Sequence, residues 1–406
     1  MAGKRRIPTP DELRDYNYAV AGHAGTLCDE DGELFIKPCT PSELNWYQTV
    51  EQNGLRDFAQ VMPVYLGELR LSAPEDVDEA VMGLIADVGE VQQTKEQLKA
   101  SIIEQVARAP MVVVAAAAAA KPAITLSGQT EAATGWVPSR GKRIKTDRAV
   151  VLGNASFGYK KANILDVKLG VRLWADDAAP EKKRRFDVIT AETTHKELGF
   201  RIAGMRVFRG SAAQEEWDDE GYKVYDKEYG RTKVTIDNVV GEFRKFVFNK
   251  EAGVDDDLGR AVCAGFLREL KRVEDVLLRH ETRIYSSSLL FLFEGDGENL
   301  TAAIQKNNDY VDEAFEPSPS DTPTTKPIPR TNTRMDSGIE LEDEDFGLDD
   351  DFEEPRLPPI FSLKMIDFAH AQFTPGEGPD ENTLVGVRSL IRIFRELAGE
   401  ADADAY

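Results

Sequence analysis

The sequence has few of the residues on which disulfide, redox and zinc sites depend. Its three cysteines, Cys28, Cys39 and Cys263, form no CxxC pair, and an odd number argues against a disulfide framework. The four histidines are too scattered to suggest a zinc site. A reducing compartment, the nucleus or the cytoplasm, is therefore expected.

Membrane signals and several common enzyme signatures are also missing. No apolar run approaches the roughly 20 residues needed to cross a bilayer, and the start, MAGKRRIPTPDEL, lacks the apolar segment of a signal peptide. The sequence contains no GxxxxGK[ST], GxGxxG, HExxH or GxSxG motif and no protein-kinase HRD. We therefore expect no transmembrane segment and none of these enzyme classes.

The formal net charge of -22 is distributed unevenly. Residues 336–354 hold eleven acidic and no basic side chains, which is half of that net charge. Basic clusters at 142–148 and 182–185 remain available for anions, and the first could also be a nuclear signal or simply a solvated loop. The negative total therefore does not exclude a polyanionic ligand.

Apolar periodicity and turn residues predict the main elements. A β-hairpin is expected over residues 18–37 around Asp31-Gly32, followed by a helix from the Thr40–Glu43 capping box to about Gln52. Other predicted elements are strands near 62–71, 149–152, 163–170, 287–294 and 361–368 and helices near 258–277 and 384–397. Residues 109–148 and 303–358 lack such patterns and are predicted to be disordered insertions.

One predicted strand, Asn163–Gly170, carries two charges on one face. Alternation places Asp166 and Lys168 on the same side, about 7 Å apart. They could form only a solvated edge, or they could be a carboxylate for a sugar hydroxyl beside a lysine for a phosphate. Spacing alone leaves both interpretations open.

Two further segments are ambiguous when taken singly. Ser286–Gly295 is typical of a buried strand. Met365–His370 is an apolar strand that ends on Asp367, which could cap a turn or bind magnesium.

Together and in this order, the three segments resemble the inositol polyphosphate kinase family. Its members carry a PxxxDxKxG signature, an SSLL strand and an IDF segment followed by a Gly-Pro-Asp-rich stretch. The corresponding residues here are Ala162–Gly170, Ser287–Leu290, Ile366–Phe368 and Gly378–Asn382. Intervening segments also agree, namely Leu198–Arg201, Gly204–Val207 and Tyr229–Arg231. The resemblance spans about residues 19–60 and 149–400 outside the insertions.

The resemblance implies an α+β fold of two lobes, remotely like that of protein kinases. It would combine a small antiparallel β N-lobe with a larger α/β C-lobe, and ATP would lie between them. The implied divisions are an N-lobe at 1–108, an insertion at 109–148, the hinge and first part of the C-lobe at 149–302, an acidic insertion at 303–358 and the end of the C-lobe at 359–406.

Roles in nucleotide binding are also implied by the resemblance. Lys37 would hold ATP phosphates, although an exposed strand lysine is the alternative, and Asp166 would bind the ribose. Asn154 would lie beside the nucleotide in the segment that joins the lobes. Two departures are Ala162, which replaces the signature proline, and Gly153, where relatives have glutamate. Gly153 is tolerable if backbone atoms bind adenine, but nucleotide affinity is in doubt if the glutamate side chain matters.

The remaining roles concern the transferred phosphate and the acceptor. Lys168 would lie between the γ-phosphate and the inositol hydroxyl, while Asp367, with Ser288 or Ser287, would bind Mg²⁺. Lys182, Arg185 and His370 would contact inositol phosphates; a solvated helix face and a packed core histidine are the alternatives.

Within the family, the short segment between Gly170 and Leu198 resembles that of a fungal multikinase, which converts inositol trisphosphate to tetrakis- and pentakisphosphate. The alternatives are a hexakisphosphate kinase, or a mainly non-catalytic scaffold whose acidic insertion binds transcription factors or other basic proteins. A monomer without direct nucleic-acid contacts is expected.

Overall fold

The structure, a computed structural model, describes residues 13–16, 25–72, 125–127, 146, 148–210, 218, 220–315 and 356–400. These residues fall into two compact units. The first contains the described parts of residues 1–17, 23–40 and 66–152, and the second contains those of 41–65 and 153–406. The division differs from the predicted lobes because residues 41–65 belong to the second unit.

A six-stranded sheet occupies the first unit. Its strands are β1 (Arg14–Asp15), β2 (Leu27–Cys28), β3 (Leu34–Pro38), β4 (Tyr65–Ser72), β5 (Thr125–Ser127) and β6 (Arg148–Gly153), in the spatial order β1-β2-β3-β6-β4-β5. Strands β2 and β3 pair antiparallel, which confirms the hairpin around Asp31-Gly32. The strands are shorter than predicted, and residues 18–24 lie outside the described ranges.

The small core of this unit explains the pairing of its strands. Leu34 and Ile36 of β3 pack with Leu69 of β4 and with Ala149 and Val151 of β6. These side chains alternate along β3 and β6 and therefore lie on one face of the sheet, while Val150 and Leu152 of β6 are buried as well. Outside this cluster, Gly32 adopts a φ of 75° in the hairpin turn, a value that glycine reaches without strain.

The second unit is built on a five-stranded antiparallel sheet. Its strands are β7 (Ala162–Leu169), β8 (Phe200–Phe208), β9 (Tyr222–Tyr225), β11 (Ser288–Glu294) and β12 (Phe361–Ile366), in the order β12-β11-β7-β8-β9. Strands β10 (Thr282–Ile284) and β13 (Ala371–Phe373) form a separate antiparallel pair. Strands β11 and β12 are neighbours and pair antiparallel.

Helices surround this sheet. They are α1 (Pro41–Gln52), α2 (Arg56–Gln60), α3 (Pro180–Glu192), α4 (His195–Leu198), α5 (Lys227–Thr232), α6 (Val239–Val247), α7 (Asp256–Arg279), α8 (Gly297–Phe315) and α9 (Glu381–Ala398). The long helices α7 and α9 pack against each other, and Phe266 of α7 contacts Phe291, Phe361 and Phe394. An aromatic core therefore joins these helices to β11 and β12.

Aromatic stacking explains why α1 and α2 belong to the second unit. The Trp46 ring of α1 stacks on Phe373 and Phe368 with centroids 4.5 and 5.4 Å away, and Phe58 of α2 meets Trp46 edge-on. All but Phe373 are almost fully buried. The contacts join residues distant in sequence, so the local pattern did not predict them.

The start of the second predicted insertion is wrong. Helix α8 continues to Phe315, although disorder was expected from residue 303. Leu300 and Ala303 are buried, and the Asn307 side-chain amide donates to the carbonyls of Ala303 and Pro358. Because few apolar side chains and one amide hold this helix in place, its sequence shows little apolar pattern.

Other parts of the insertions lie outside the described ranges, including the six-alanine tract, residues 316–355 with the acidic run, and most of the basic cluster at 142–148. In the described ranges, no helix combines the length and the apolar character needed to cross a membrane.

Candidate active site

Strand β7 places Asp166 and Lys168 in the middle of the sheet. Lys168 lies opposite Ser288 of β11 on one side and opposite Arg201 of β8 on the other. The β7–β8 register shifts between Asp166 and Val167. Because β7 is paired on both sides and Asp166 is only 6% exposed, the solvated-edge interpretation is wrong.

The surroundings of Asp166 act on its charge in opposite directions. Burial raises its pKa to about 6 and the negative charge of Asp367 adds to the rise, whereas Lys168, Ser288 and Arg201 favour the carboxylate. The Ser288 hydroxyl is near without forming a well-aligned hydrogen bond. Asp166 Oδ1 finds no hydrogen-bond partner among the described residues. An unpaired buried acceptor is costly unless a ligand hydroxyl or water satisfies it.

The Lys168 side chain is held by a backbone carbonyl directly before Ser287 and Ser288. Its Nζ donates to the carbonyl oxygen of Ser286 at 2.8 Å. The hydroxyls of the next two residues, Ser287 and Ser288, are fully buried and have no hydrogen-bond partner in the described parts of the chain. Two hydroxyl groups without a partner among the described residues therefore follow the residue that binds the lysine.

Asp367 directly follows β12 in a left-handed conformation. Its φ is 67°, which ends the strand at Ile366, two residues earlier than predicted. Ile366 pairs with Ser288, and Asp367 is near enough to Asp166 to act on its charge. Such a φ is unfavourable for a non-glycine residue and is frequent at functional sites. The ends of β7, β11 and β12 thus bring Asp166, Lys168, Asp367 and the serine hydroxyls to one end of the sheet.

The oxygen atoms at this end suit a hard divalent cation. Carboxylate and hydroxyl oxygens are the donors that Mg²⁺ prefers, usually as one or two carboxylates completed by water and phosphate. Within the described ranges, no three His, Cys, Asp or Glu side chains lie close enough together to hold a metal alone. The arrangement therefore fits Mg²⁺ bound together with a phosphate ligand.

Lys182 of α3 reaches His370, four residues after β12. Lys182 Nζ and His370 Nε2 are 3.1 Å apart. Burial and the charge of Lys182 lower the pKa of His370, with Lys168 contributing, whereas Asp177 and Glu43 act in the opposite direction. A neutral imidazole can accept a hydrogen bond from the lysine. The contact joins two of the predicted substrate-binding residues.

Arg185 is placed differently. It lies one helical turn beyond Lys182, is exposed, and has its guanidinium 5.4 Å from the ring of Phe186. No residue of α3 is fully buried. The substrate role of Arg185 stays a prediction.

Two predicted nucleotide residues have clear local environments. Lys37 lies on β3 in the first unit and is 8% exposed, so the alternative of an exposed strand lysine is wrong. Asn154 lies in the second unit just after β6, where its Oδ1 accepts from the backbone N–H and the hydroxyl of Ser156. The Asn154 side chain shapes this turn, and its nucleotide role stays a prediction.

Sequence reasoning gave no role to Arg201 and His195. Arg201 donates to the carbonyls of Ile202 and Lys227, and its charge acts on Asp166. His195 is fully buried; burial and the charges of Arg201 and Lys168 lower its pKa to about 3, so it is neutral. Arg201 ends one of the segments shared with the family, but only strand pairing shows that it lies opposite Lys168.

Comparisons with known proteins identify the family of the chain. The family model described as inositol polyphosphate kinase matches residues 149–395. The inositol polyphosphate multikinase of Saccharomyces cerevisiae is 28% identical, over 96% of this chain and 99% of its own length. The multikinase of Schizosaccharomyces pombe is 23% identical over 95% and 98%, and rat inositol hexakisphosphate kinase 1 is 29% identical over 64% and 54%.

A solved structure shares the fold. The inositol phosphate multikinase Ipk2 of S. cerevisiae, crystallised with ADP and Mn²⁺, superposes with a TM-score of 0.51 at 24% identity, over 90% of this chain and 99% of that one. The predicted α+β kinase fold is thereby confirmed. The chain belongs to the inositol polyphosphate kinase family and is a phosphotransferase that acts on inositol polyphosphates.

Proposed function

We propose that this kinase is a multikinase that uses ATP and Mg²⁺ to phosphorylate inositol trisphosphate and then the tetrakisphosphate. The observation that carries the proposal is the contact of Lys182 with His370, because Lys182 belongs to a short segment between β7 and β8. Between Gly170 and Leu198 the chain forms only helix α3 of 13 residues and helix α4 of four. A brief, exposed basic helix beside the transfer site suits acceptors that bind in several orientations.

The extent of the similarities also favours this subtype over a hexakisphosphate kinase. The two yeast multikinases align over nearly their whole length, whereas the rat hexakisphosphate kinase aligns over about half of its own. Identity alone does not separate the subtypes, since it is 28% in one case and 29% in the other.

In the proposed reaction, the sheet end handles the nucleotide and the transferred phosphate. Asp166 Oδ1, which is buried without a partner among the described residues, would accept a hydrogen bond from a ribose hydroxyl. Lys168 would neutralise charge on the γ-phosphate, and Lys37 is assigned to the ATP phosphates. The ADP of the yeast structure supports nucleotide binding by this fold. Positioned charge of this kind supplies most of the catalysis in phosphoryl transfer.

The residues for the metal would be Asp367 with Ser287 or Ser288, directly or through water. Mg²⁺ would supply charge neutralisation at the phosphate oxygens. Asp367 directly follows Ile366, which pairs with Ser288, so these oxygen ligands lie at adjacent strand ends. The Mn²⁺ in the yeast structure supports a divalent site in this fold.

The acceptor would lie on the side of Lys182. Its ammonium and the neutral His370 would contact inositol phosphate groups, with Arg185 one turn away. Because α3 lies at the surface of the unit and has no fully buried residue, small shifts of the helix could bring its cations to phosphates at different positions of the inositol ring.

A product assay tests the proposal. Purified protein is incubated with ATP and Mg²⁺ and with inositol tris-, tetrakis- or hexakisphosphate, and products are separated by anion exchange. We expect pentakisphosphate from the first two acceptors and no pyrophosphorylated product from the third, with the Lys168→Ala variant as the control. Turnover of hexakisphosphate alone would contradict the multikinase assignment and favour the other subtype.

A further inference from the structure

Two non-glycine residues in the described ranges have left-handed backbones. They are Asp367, with a φ of 67°, and Ser286, with a φ of 59°. Both lie at the same end of the sheet, because Ser288 at the start of β11 pairs with Ile366 at the end of β12. Asp367 has a place in the proposed function and Ser286 has none, although a positive φ is less common for serine than for aspartate.

Ser286 contacts the proposed transfer machinery in two ways. Its carbonyl oxygen accepts from Lys168 Nζ at 2.8 Å, and its hydroxyl donates to the carbonyl of Leu173 at 2.8 Å. Leu173 belongs to the connection of residues 170–179, which leads from β7 to the helix that carries Lys182. One residue therefore joins the lysine to the start of the acceptor segment.

The connection that receives the Ser286 hydroxyl is itself anchored. The Asn382 side chain of α9 accepts from the backbone N–H groups of Val171 and Arg172 and donates to the carbonyl of Arg172. Next to Ser286, the backbone N–H of Tyr285 donates to the carbonyl of His370 at 3.1 Å. Ser286 thus lies between fixed groups on both sides, and its carbonyl has a defined direction.

We propose that Ser286 is a positioning residue, whose left-handed backbone directs its carbonyl at Lys168 and holds that ammonium for phosphoryl transfer. The inference rests on the proposed role of Lys168. A lysine has a flexible four-carbon stem, so a fixed acceptor reduces the number of positions that its charge can take. Orientation of this kind governs turnover more than binding.

The test alters the backbone preference without touching Lys168. Ser286→Val introduces a β-branched residue, which strongly disfavours a positive φ, whereas Ser286→Gly keeps the carbonyl and adopts this φ freely. Gly54 offers a matched control, since it has a φ of 60° with nothing within 4 Å of an added Cβ. Gly54→Val therefore imposes the same conformational strain outside the site.

We expect Ser286→Val to lower kcat about 10- to 100-fold with little change in the KM for ATP, because misplacement by about 1 Å can cost 100-fold. The kcat of Ser286→Gly should stay within about threefold of wild type. Gly54→Val should lower thermal stability and leave kcat unchanged. A kcat loss in Gly54→Val as large as in Ser286→Val, or wild-type kcat in Ser286→Val, would overturn the proposal.

Lysine reactivity gives a readout that does not depend on the substrate. Reductive methylation followed by mass spectrometry should modify Lys168 several-fold faster in Ser286→Val than in wild type, relative to the exposed Lys196. If Ser286→Val does not fold, Ser286→Ala against Ser286→Gly makes the same comparison, since both lack the hydroxyl. The positioning role of Ser286 is refuted if Lys168 is as reactive in Ser286→Val as in wild type. Where the valine variant does not fold, equal Lys168 reactivity in Ser286→Ala and Ser286→Gly refutes it. A wild type inactive on every inositol phosphate refutes only the proposed function.

Discussion

The two halves of the candidate site are built in different ways. Asp166 and Lys168 lie on a central strand that is paired on both sides, and Asp166 is buried. Lys182 and Arg185 lie on α3, which has no fully buried residue. Polar contacts attach this helix, such as the Trp174 indole N–H to Asp187 and the Thr190 hydroxyl to the Val171 carbonyl.

This difference supports the proposed roles, with phosphate transfer in the sheet half and acceptor binding in the helix half. A carboxylate and a lysine fixed within a sheet keep one geometry, which suits the invariant part of the reaction, the transfer from ATP. A surface helix held by polar contacts can shift by small amounts, which suits acceptors with different phosphate patterns. Substitutions in the sheet half should therefore lower kcat, and substitutions in the helix half should raise the KM for the inositol phosphate.

The largest effect is expected in the sheet half. Lys168→Ala and Asp367→Asn should each leave a folded protein and lower turnover by about two orders of magnitude or more, since each removes a positioned charge. Asparagine tolerates the left-handed backbone of position 367, so its loss of activity reflects the charge. Steady-state kinetics with circular dichroism checks both variants; turnover near that of wild type would remove these residues from the mechanism.

In the helix half, the double variant Lys182→Glu/Arg185→Glu should raise the KM for the inositol phosphate about tenfold or more and leave the KM for ATP nearly unchanged. The single Lys182→Glu variant should account for most of the effect, because Lys182 contacts His370. Apparent affinity should also fall with salt, since exposed charges are screened over about 10 Å at 0.1 M. Equal effects of both single variants would contradict the unequal placement seen here.

A third variant measures what the buried carboxylate costs. The pKa of Asp166 is raised to about 6 in the fold, above its ordinary 3.8. The folded protein therefore binds more protons than the unfolded chain between these values, so stability falls as pH rises through that window and the deficit is complete above about pH 6. Asp166→Asn should raise the unfolding free energy at pH 7 by about 1–3 kcal/mol, given 1.36 kcal/mol per pKa unit.

The same Asp166→Asn variant should weaken ATP binding by a few-fold more than it slows chemistry, since the amide replaces the proposed ribose acceptor. Denaturant unfolding at pH 4 and pH 7 tests the stability part, with the gain shrinking at the lower pH. An unchanged KM for ATP would exclude the ribose role, and a loss of stability at pH 7 would show that Asp166 is stabilised by its partners.

Local patterns predicted the parts of the site that depend on one segment. The same-side placement of Asp166 and Lys168 follows from strand periodicity, and α7 and α9 from helical spacing. The left-handed backbones of Ser286 and Asp367 and the register shift at Asp166 did not follow, because they depend on pairing between distant strands. Packing of Trp46 on Phe368 is likewise non-local, so residues 41–65 were assigned to the other lobe.

The smallest effect is expected from residues that belong to neither half. The Asn307–Pro358 contact shows that the chain returns beside α8, so Phe315 lies about 12 Å along the helix from the level of this contact, at 1.5 Å per residue. A Gly/Ser linker of about eight residues can therefore replace residues 316–355, since an extended chain spans about 3.3 Å per residue. Helix α8 must be kept, which excludes a cut at residue 303.

The sequence predicts that residues 316–355 are disordered, and loop-closure entropy depends only logarithmically on length, so replacing these 40 residues by about eight should stabilise the protein by about 1 kcal/mol. With both halves of the site intact, kcat and both KM values should stay within about twofold of wild type, given that no catalytic group would be moved. Thermal melting and the product assay measure the two outcomes. A fall in kcat with an unchanged melting temperature would mean that the replaced segment takes part in the reaction. The site would then have a third part besides the sheet half and the helix half.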